Sequence, residues 1–442
     1  MTKHDNANLY ALLSRRFEEQ RDTVAVETPG RAPLTYADVV RDSARFANRL
    51  VALGADSGDR VAVQVDKSPE ALCLYLGCLR AGLIYLPLNT GYPARELEHF
   101  FRDAEPRIVV CRPEDLDVIA DLADRCGVAH VATLGADAHG SLMERADPGD
   151  AFETIASRED DIAAILYTSG TTGKPKGAAL SHGNLGSNAV TLHETWGFCD
   201  SDVLLHALPL FHTHGLFVAC HCSLLNATPM LLLPKFDPQQ VMGLLPRASV
   251  FMGVPTFYTR LLANADFGRG QCAHMRLFVS GSAPLLEQTH SEFLARTGHR
   301  ILERYGMTEC GMSTSNPLDG ARKAGTVGLP LAGVSLRIVD DAGNPVAAGE
   351  IGQIEFKGPN VFQGYWRMPE KTADEFSEDG YFRSGDLGEM DEDGYVSIVG
   401  RDKDLIISGG YNVYPKEVEL CIDQLDGVGE SAVIGVPDPD FG

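Results

Sequence analysis

Between residues 60 and 306, short apolar runs alternate with helical stretches, and this alternation constrains the fold more than any other feature. Residues 60–65, 108–111, 161–166, 203–207, 230–233, 250–252, 276–280 and 301–305 read as strands. Strands alternating with helical stretches suggest a parallel sheet with helices on its faces. The stretches between them carry helix starts, such as Ser68 before Pro69, and Asn8 before Leu9 gives another ahead of this region. The expected class is α/β, with stacked sheets built from βα units and helices on their faces.

Near residue 324 the pattern changes to short strands and turns, with a hairpin signal at Asp391-Glu392-Asp393-Gly394. The expected organisation is an α/β nucleotide- and acyl-binding region over 1–323 and a β-rich subdomain over 324–400. A hinge over 401–404 follows, then the start of an α+β lid domain over 405–442 with a helix at 415–425 and a strand at 431–436. One helix and two strands cannot bury a core alone, so this last unit reads as incomplete.

The chain has 38 basic and 61 acidic residues, a net charge of −23. That argues against non-specific binding to nucleic acid or to an anionic membrane, since both need Lys and Arg. No apolar run approaches a membrane span and the N-terminus lacks a signal core. The ten cysteines form no regular framework, so a reducing, cytoplasmic location is expected. His212-Thr213-His214 and Cys220-His221-Cys222 match no zinc spacing, and free cysteines of this kind are usually buried small hydrophobes.

The strongest chemical signal is Tyr167-Thr168-Ser169-Gly170-Thr171-Thr172-Gly173-Lys174-Pro175-Lys176-Gly177, lying between a strand pattern and a helix start at Ser181. Its glycines let backbone N–H groups converge on an anion, and four hydroxyls and two lysines can meet phosphate oxygens. It is not a Walker A loop, because the glycine spacing differs and Pro175 follows Lys174. Gly281-Ser282 and Gly306-Met307-Thr308-Glu309 also fall at strand ends, where ligands of such sheets bind. All three are expected around one crevice.

Together with Tyr305-Gly306-Met307-Thr308-Glu309, Ser384-Gly385-Asp386-Leu387 and Gly400-Arg401-Asp402-Lys403-Asp404, the loop resembles the motif set of the acyl-adenylate-forming superfamily. That superfamily comprises acyl-CoA synthetases, luciferases and peptide-synthetase adenylation domains. The resemblance covers nearly the whole chain and implies an ATP-dependent acid–thiol ligase with CoA as acceptor. It implies that Thr168, Ser169, Gly170, Thr171, Thr172, Gly173, Lys174 and Lys176 hold the β- and γ-phosphates. Around the nucleotide it places Gly281, Ser282, Ala283, Glu303, Arg304, Tyr305, Gly306 and Met307, with Tyr305 stacked on adenine. Thr308 would touch the α-phosphate, Asp386 and Arg401 the ribose, and Glu309 a Mg²⁺ ion. Lys403 matches the hinge position.

Within the superfamily, residues 208–219, 253–260 and 358–362 resemble the malonyl-CoA synthetases. A dicarboxylate brings a second charge into the acyl pocket, and an unpaired buried charge is costly. Arg260 is the expected partner for it, His212 the gate beside the reacting carboxylate, and Ser282, Gly306 and Met307 further acyl contacts, with His214 a weaker one. The implied partners are small molecules only: ATP, CoA and malonate, with methylmalonate as a second acid. Competing readings are a fatty or aromatic acyl-CoA synthetase, a non-catalytic adenylate-binding module and a carrier-loading domain. The family's C-terminal Gly-Lys segment does not occur in these 442 residues. The resemblance therefore implies binding of nucleotide and acid with much reduced adenylation.

Overall fold

The computed structural model describes residues 6–143, 149–168, 175–408, 411–425, 427–428 and 430–436. Two large sheets dominate. The first runs Gly364–Tyr365, Lys176–Ser181, Ile162–Thr168, Ile84–Pro87, Arg60–Gln64, Ile108–Cys111, His130–Thr133. The second runs Leu329–Pro330, Gly311–Ser315, Leu302–Met307, Leu277–Ser280, Val250–Gly253, Leu204–His206, Met230–Leu232, Val24–Glu27, Leu34–Thr35. Their interiors are parallel, and the antiparallel pairs sit toward the edges.

The strand period of two sorts side chains into layers. Val61, Leu204, Met230 and Leu277 belong to one apolar cluster shared by both sheets and the helices between them. Their neighbours Leu205, Leu231 and Phe278 join a second cluster, and Ala62 and Val109 a third, each beneath its own outer helices. At the centre is the Pro69–Arg80 helix, capped by Ser68 Oγ on the Ala71 amide at 3.1 Å, with every residue but Glu70 buried. The Tyr36–Ala52 helix crosses it so closely that a Cβ on Gly77 would lie 2.7 Å from Phe46 Cβ.

A third, antiparallel sheet is built from Ser335–Val339, Gly352–Lys357, Phe382–Met390 and Val396–Arg401. Its last two strands pair across the 391–394 turn. The helix and parallel-strand expectations hold over 60–133 and 203–307 within a few residues.

Three local readings are corrected. The phosphate loop is not followed directly by a helix. A strand, Lys176–Ser181, intervenes and pairs antiparallel with Ile162–Thr168. The apolar stretch after Gly215 begins as a π-helical turn, His214–Cys220, before becoming α-helical over His221–Asn226. Near the end, a hairpin of Ile406–Ser408 and Tyr411–Val413 precedes the Pro415–Asp423 helix, and the described part of 431–436 pairs in no sheet. Among the described residues no helix is long and apolar enough to cross a membrane.

Candidate active site

The carboxyl ends of the parallel strands open onto one cleft of about 880 Å³. Thr168 ends a strand of the first sheet. Leu208, Pro209, His212 through Gly215, Val254, Ser282 and Thr308 follow strands of the second. Tyr365 comes from the strand that returns to the first sheet, while Ser384 and Arg401 come from the antiparallel sheet.

Glu309 forms one wall and is 4% exposed. Thr168 and Tyr365 both donate to its Oε1, at 3.3 and 3.0 Å. Burial pushes its carboxyl up, while hydrogen bonds and the Lys176 ammonium pull it back. Lys176 is buried, lies 4.2 Å above the Tyr365 ring and pairs with Glu375 at 3.5 Å. Lys371 reaches the same Glu375 carboxylate at 2.8 Å. Sequence reasoning missed Tyr365, Lys371 and Glu375. They lie between motifs, with no local pattern that sets them apart.

On the opposite side Asp386 is buried and receives Arg401 Nε at 2.6 Å and the Tyr305 hydroxyl. Burial raises its carboxyl, and these two partners oppose that rise. Tyr305 also lies against Phe356, with centroids 5.8 Å apart and planes 26° from parallel. The glycine before Met307 has a steric reason: a Cβ on Gly306 would run into the Gly311 backbone of the neighbouring strand.

The inner end of the cleft holds unpartnered polar groups. Arg304 is 2% exposed, and its Nε and Nη2 have no hydrogen-bond partner among the described residues. Loss of solvent pushes its guanidinium down to about 9. It fits against Gly281, where any Cβ would collide with it. Buried His214 is kept neutral by loss of solvent and then by Arg304. Ser282 faces His214 Nδ1 at 3.3 Å, and His214 Nε2 has no partner among the described residues. Ser282 adopts φ 71°, a left-handed conformation that costs a non-glycine residue energy and clusters at functional sites.

Thr168, Lys176, His212, Ser282, Arg304, Gly306, Met307, Thr308, Glu309, Arg401 and Lys403 all line the cleft. Gly281, Tyr305 and Asp386 stand directly behind this lining, and exposed Ala283 and buried Glu303 flank it in sequence. Arg260 is not brought in: it is exposed, one helical turn beyond the lining residue Phe257. Ser169, Gly170, Thr171, Thr172, Gly173 and Lys174 lie outside the described residues. The described residues contain no group of three or more His, Cys, Asp or Glu side chains that could cage a metal. A lone buried carboxylate beside a hydroxyl suits Mg²⁺, which is usually held by one or two carboxylates plus substrate phosphates and water.

Comparison with known proteins identifies the family. Residues 13–366 match the family model described as AMP-binding enzyme. The crystal structure of ATP-bound MatB from Rhodopseudomonas palustris is 56% identical, with a TM-score of 0.96 over 99% of this chain and 87% of that one. A malonate–CoA ligase of Arabidopsis thaliana is 36% identical over 92% of this chain and 71% of its own length. A feruloyl-CoA synthase of Amycolatopsis is 38% identical over 97% and 85%. The chain belongs to the AMP-binding enzyme family, within the acyl-adenylate-forming superfamily, as an AMP-forming acid–thiol ligase.

Proposed function

We propose that the chain activates malonate, and methylmalonate second, as a malonyl-CoA synthetase. A carboxylate oxygen of the acid attacks the α-phosphorus of ATP, pyrophosphate leaves, and the thiol of CoA then displaces AMP from the acyl carbonyl. Thr308 meets the α-phosphate, Lys176 the leaving phosphates, and Asp386 with Arg401 the ribose. Glu309 with Thr168 would hold Mg²⁺, which would supply positive charge beside the phosphates. His212 flanks the reacting carboxylate.

The observation that carries the choice of acid is Arg304. A buried guanidinium with two unpartnered donors is costly until an anion pairs with it. The distal carboxylate of a dicarboxylic acid does so bidentately. With Ser282 donating to His214 Nδ1, the His214 proton sits on Nε2, which can donate a hydrogen bond to the same carboxylate. An aromatic acid such as ferulate would find the apolar wall of Val254, Phe257 and Met312 but would leave Arg304 unpaired.

The test is calorimetric binding to the 442-residue chain with Mg²⁺ and a non-hydrolysable ATP analogue. Malonate should bind at least about 30-fold more tightly than acetate or ferulate, from about 2 kcal/mol for one charge-assisted pair. Arg304→Met should erase that preference, and Arg260→Ala should change it far less. Tighter binding of ferulate than malonate would remove the dicarboxylate reading.

A further inference from the structure

Lys67 is an amine with no carboxylate partner among the described residues. It stands between the Arg60–Gln64 strand of the first sheet and Ser68, the N-cap of the central helix. The positive end of that helix disfavours an ammonium there. Its side chain crosses to the second sheet, where Nζ lies 2.7 Å from His206 Nδ1 and 2.9 Å from the His206 carbonyl oxygen. Burial pushes the amine down to about 7. A neutral amine has two N–H groups, and His206 takes both.

His206 is thereby fixed in one tautomer. Its Nδ1 accepts from Lys67, so Nε2 carries the proton and donates to the Gly215 carbonyl at 2.8 Å. Burial first, and Lys67 second, push the ring down to about 3, so it stays neutral. The remaining titratable groups nearby do not supply a counter-charge. Asp66 faces Arg112 at 3.8 Å. The Cys220 thiol is pushed up to about 12 by burial, and His212 and His214 are both held low by loss of solvent.

The chain Lys67, His206, Gly215 closes the loop of residues 207–215, which carries Pro209, His212, Thr213 and His214 into the cleft. The closure is tight, since a Cβ on Gly215 would fall on the Pro209 carbonyl. Lys67 also faces a second cavity of about 120 Å³ that shares Pro209 with the cleft.

We propose that Lys67 is a positioning residue for acid binding: through His206 it holds the 207–215 loop so that His212 and His214 face the acid, and it does this only as a neutral amine. Protonation adds a third N–H with no acceptor among the described residues and a charge between His206 and the helix N-terminus. Acid affinity should therefore fall as pH drops through neutrality, with nucleotide affinity little changed. The proposal rests on the cleft being the acid site.

The experiment measures malonate and ATP-analogue affinity from about pH 6 to pH 8, with amide hydrogen exchange over residues 207–215, in wild type and three variants. Lys67→Met should weaken malonate binding tenfold or more at the upper pH and leave nucleotide binding within threefold. It should also raise exchange over 207–215 and flatten the pH dependence. Lys67→Gln, which keeps a donor, should recover part of the affinity. Lys67→Arg, which cannot lose its proton, should resemble wild type at low pH throughout. Unchanged affinity, exchange and pH profile in Lys67→Met would overturn the proposal. So would equal loss of malonate and nucleotide binding, or losses that simply follow melting temperature across the variants. If malonate fails to bind wild type, the substrate reading falls and loop exchange alone decides the role of Lys67.

Discussion

Glu303 shows how burial at a single residue becomes a property of the whole protein. It is 7% exposed, and loss of solvent pushes its carboxyl from 4.5 to about 8, with the Leu285 and Gly325 amides partly opposing the rise. The folded state therefore holds a proton that the unfolded state releases. The resulting stability is fully present below about 4.5 and is lost as pH rises through about 8. Denaturant midpoints of wild type should fall from about pH 5 to about pH 9, and Glu303→Gln should flatten that slope. An identical slope in the variant would refute the assignment. Glu309 titrates upward for the same reason but faces the cleft. Glu309→Gln should weaken Mg²⁺-dependent nucleotide binding by about tenfold or more and leave metal-free binding nearly unchanged, as seen by calorimetry. Glu309 stood out in the sequence because it closes the Tyr305–Glu309 motif, whereas Glu303 and Arg304 stood out only as residues flanking that motif. The significance of Arg304 depends on Gly281, which packs against it across the sheet, and sequence spacing does not encode such a juxtaposition. Arg260 looked better placed because it shares a helix with apolar neighbours, yet the Pro255–Leu262 helix turns it outward.

Elements were legible where one physical cause set them. The 108–111 and 250–253 strands are buried on both faces, and their continuous apolar runs say so. Lys176–Ser181 escaped because Gly177, Ala178 and Ala179 are small and lack β-branching. It is a strand because it pairs with Ile162–Thr168 on one side and Gly364–Tyr365 on the other. The segment between Thr168 and Lys176 therefore joins two antiparallel strands and is not followed directly by a helix N-terminus. At the centre, the contact between the Tyr36–Ala52 and Pro69–Arg80 helices depends on the missing side chain of Gly77. Gly77→Ala should lower unfolding free energy by about 1–3 kcal/mol through overpacking against Phe46 and the Ser43 carbonyl. Chemical denaturation checks this, and a variant as stable as wild type would show that the two helices can move apart freely.

At the scale of the molecule, charge and topology act together. The protein carries a net charge of −23, yet the described lining of its cleft includes Lys176, Arg304, Lys371, Arg383, Arg401 and Lys403 against Glu309, Glu375 and Asp402. A cationic cleft in an acidic body focuses field lines on a polyanionic ligand while the rest of the surface repels it. Nucleotide association, followed by stopped flow, should slow by about tenfold between low salt and about 0.5 M salt, with dissociation changed much less. The two sheets are interleaved along the chain. The Val24–Glu27 strand belongs to the second sheet, the chain then builds most of the first, and only afterwards returns to the second. Val26 pairs with Met230, about 200 residues later. At roughly 5–20 residues per second of synthesis, the N-terminal strand waits roughly 10–40 s on the ribosome before its parallel neighbour exists. Slowing translation between these two strands would lengthen the time that edge is open to chaperones and to other nascent chains.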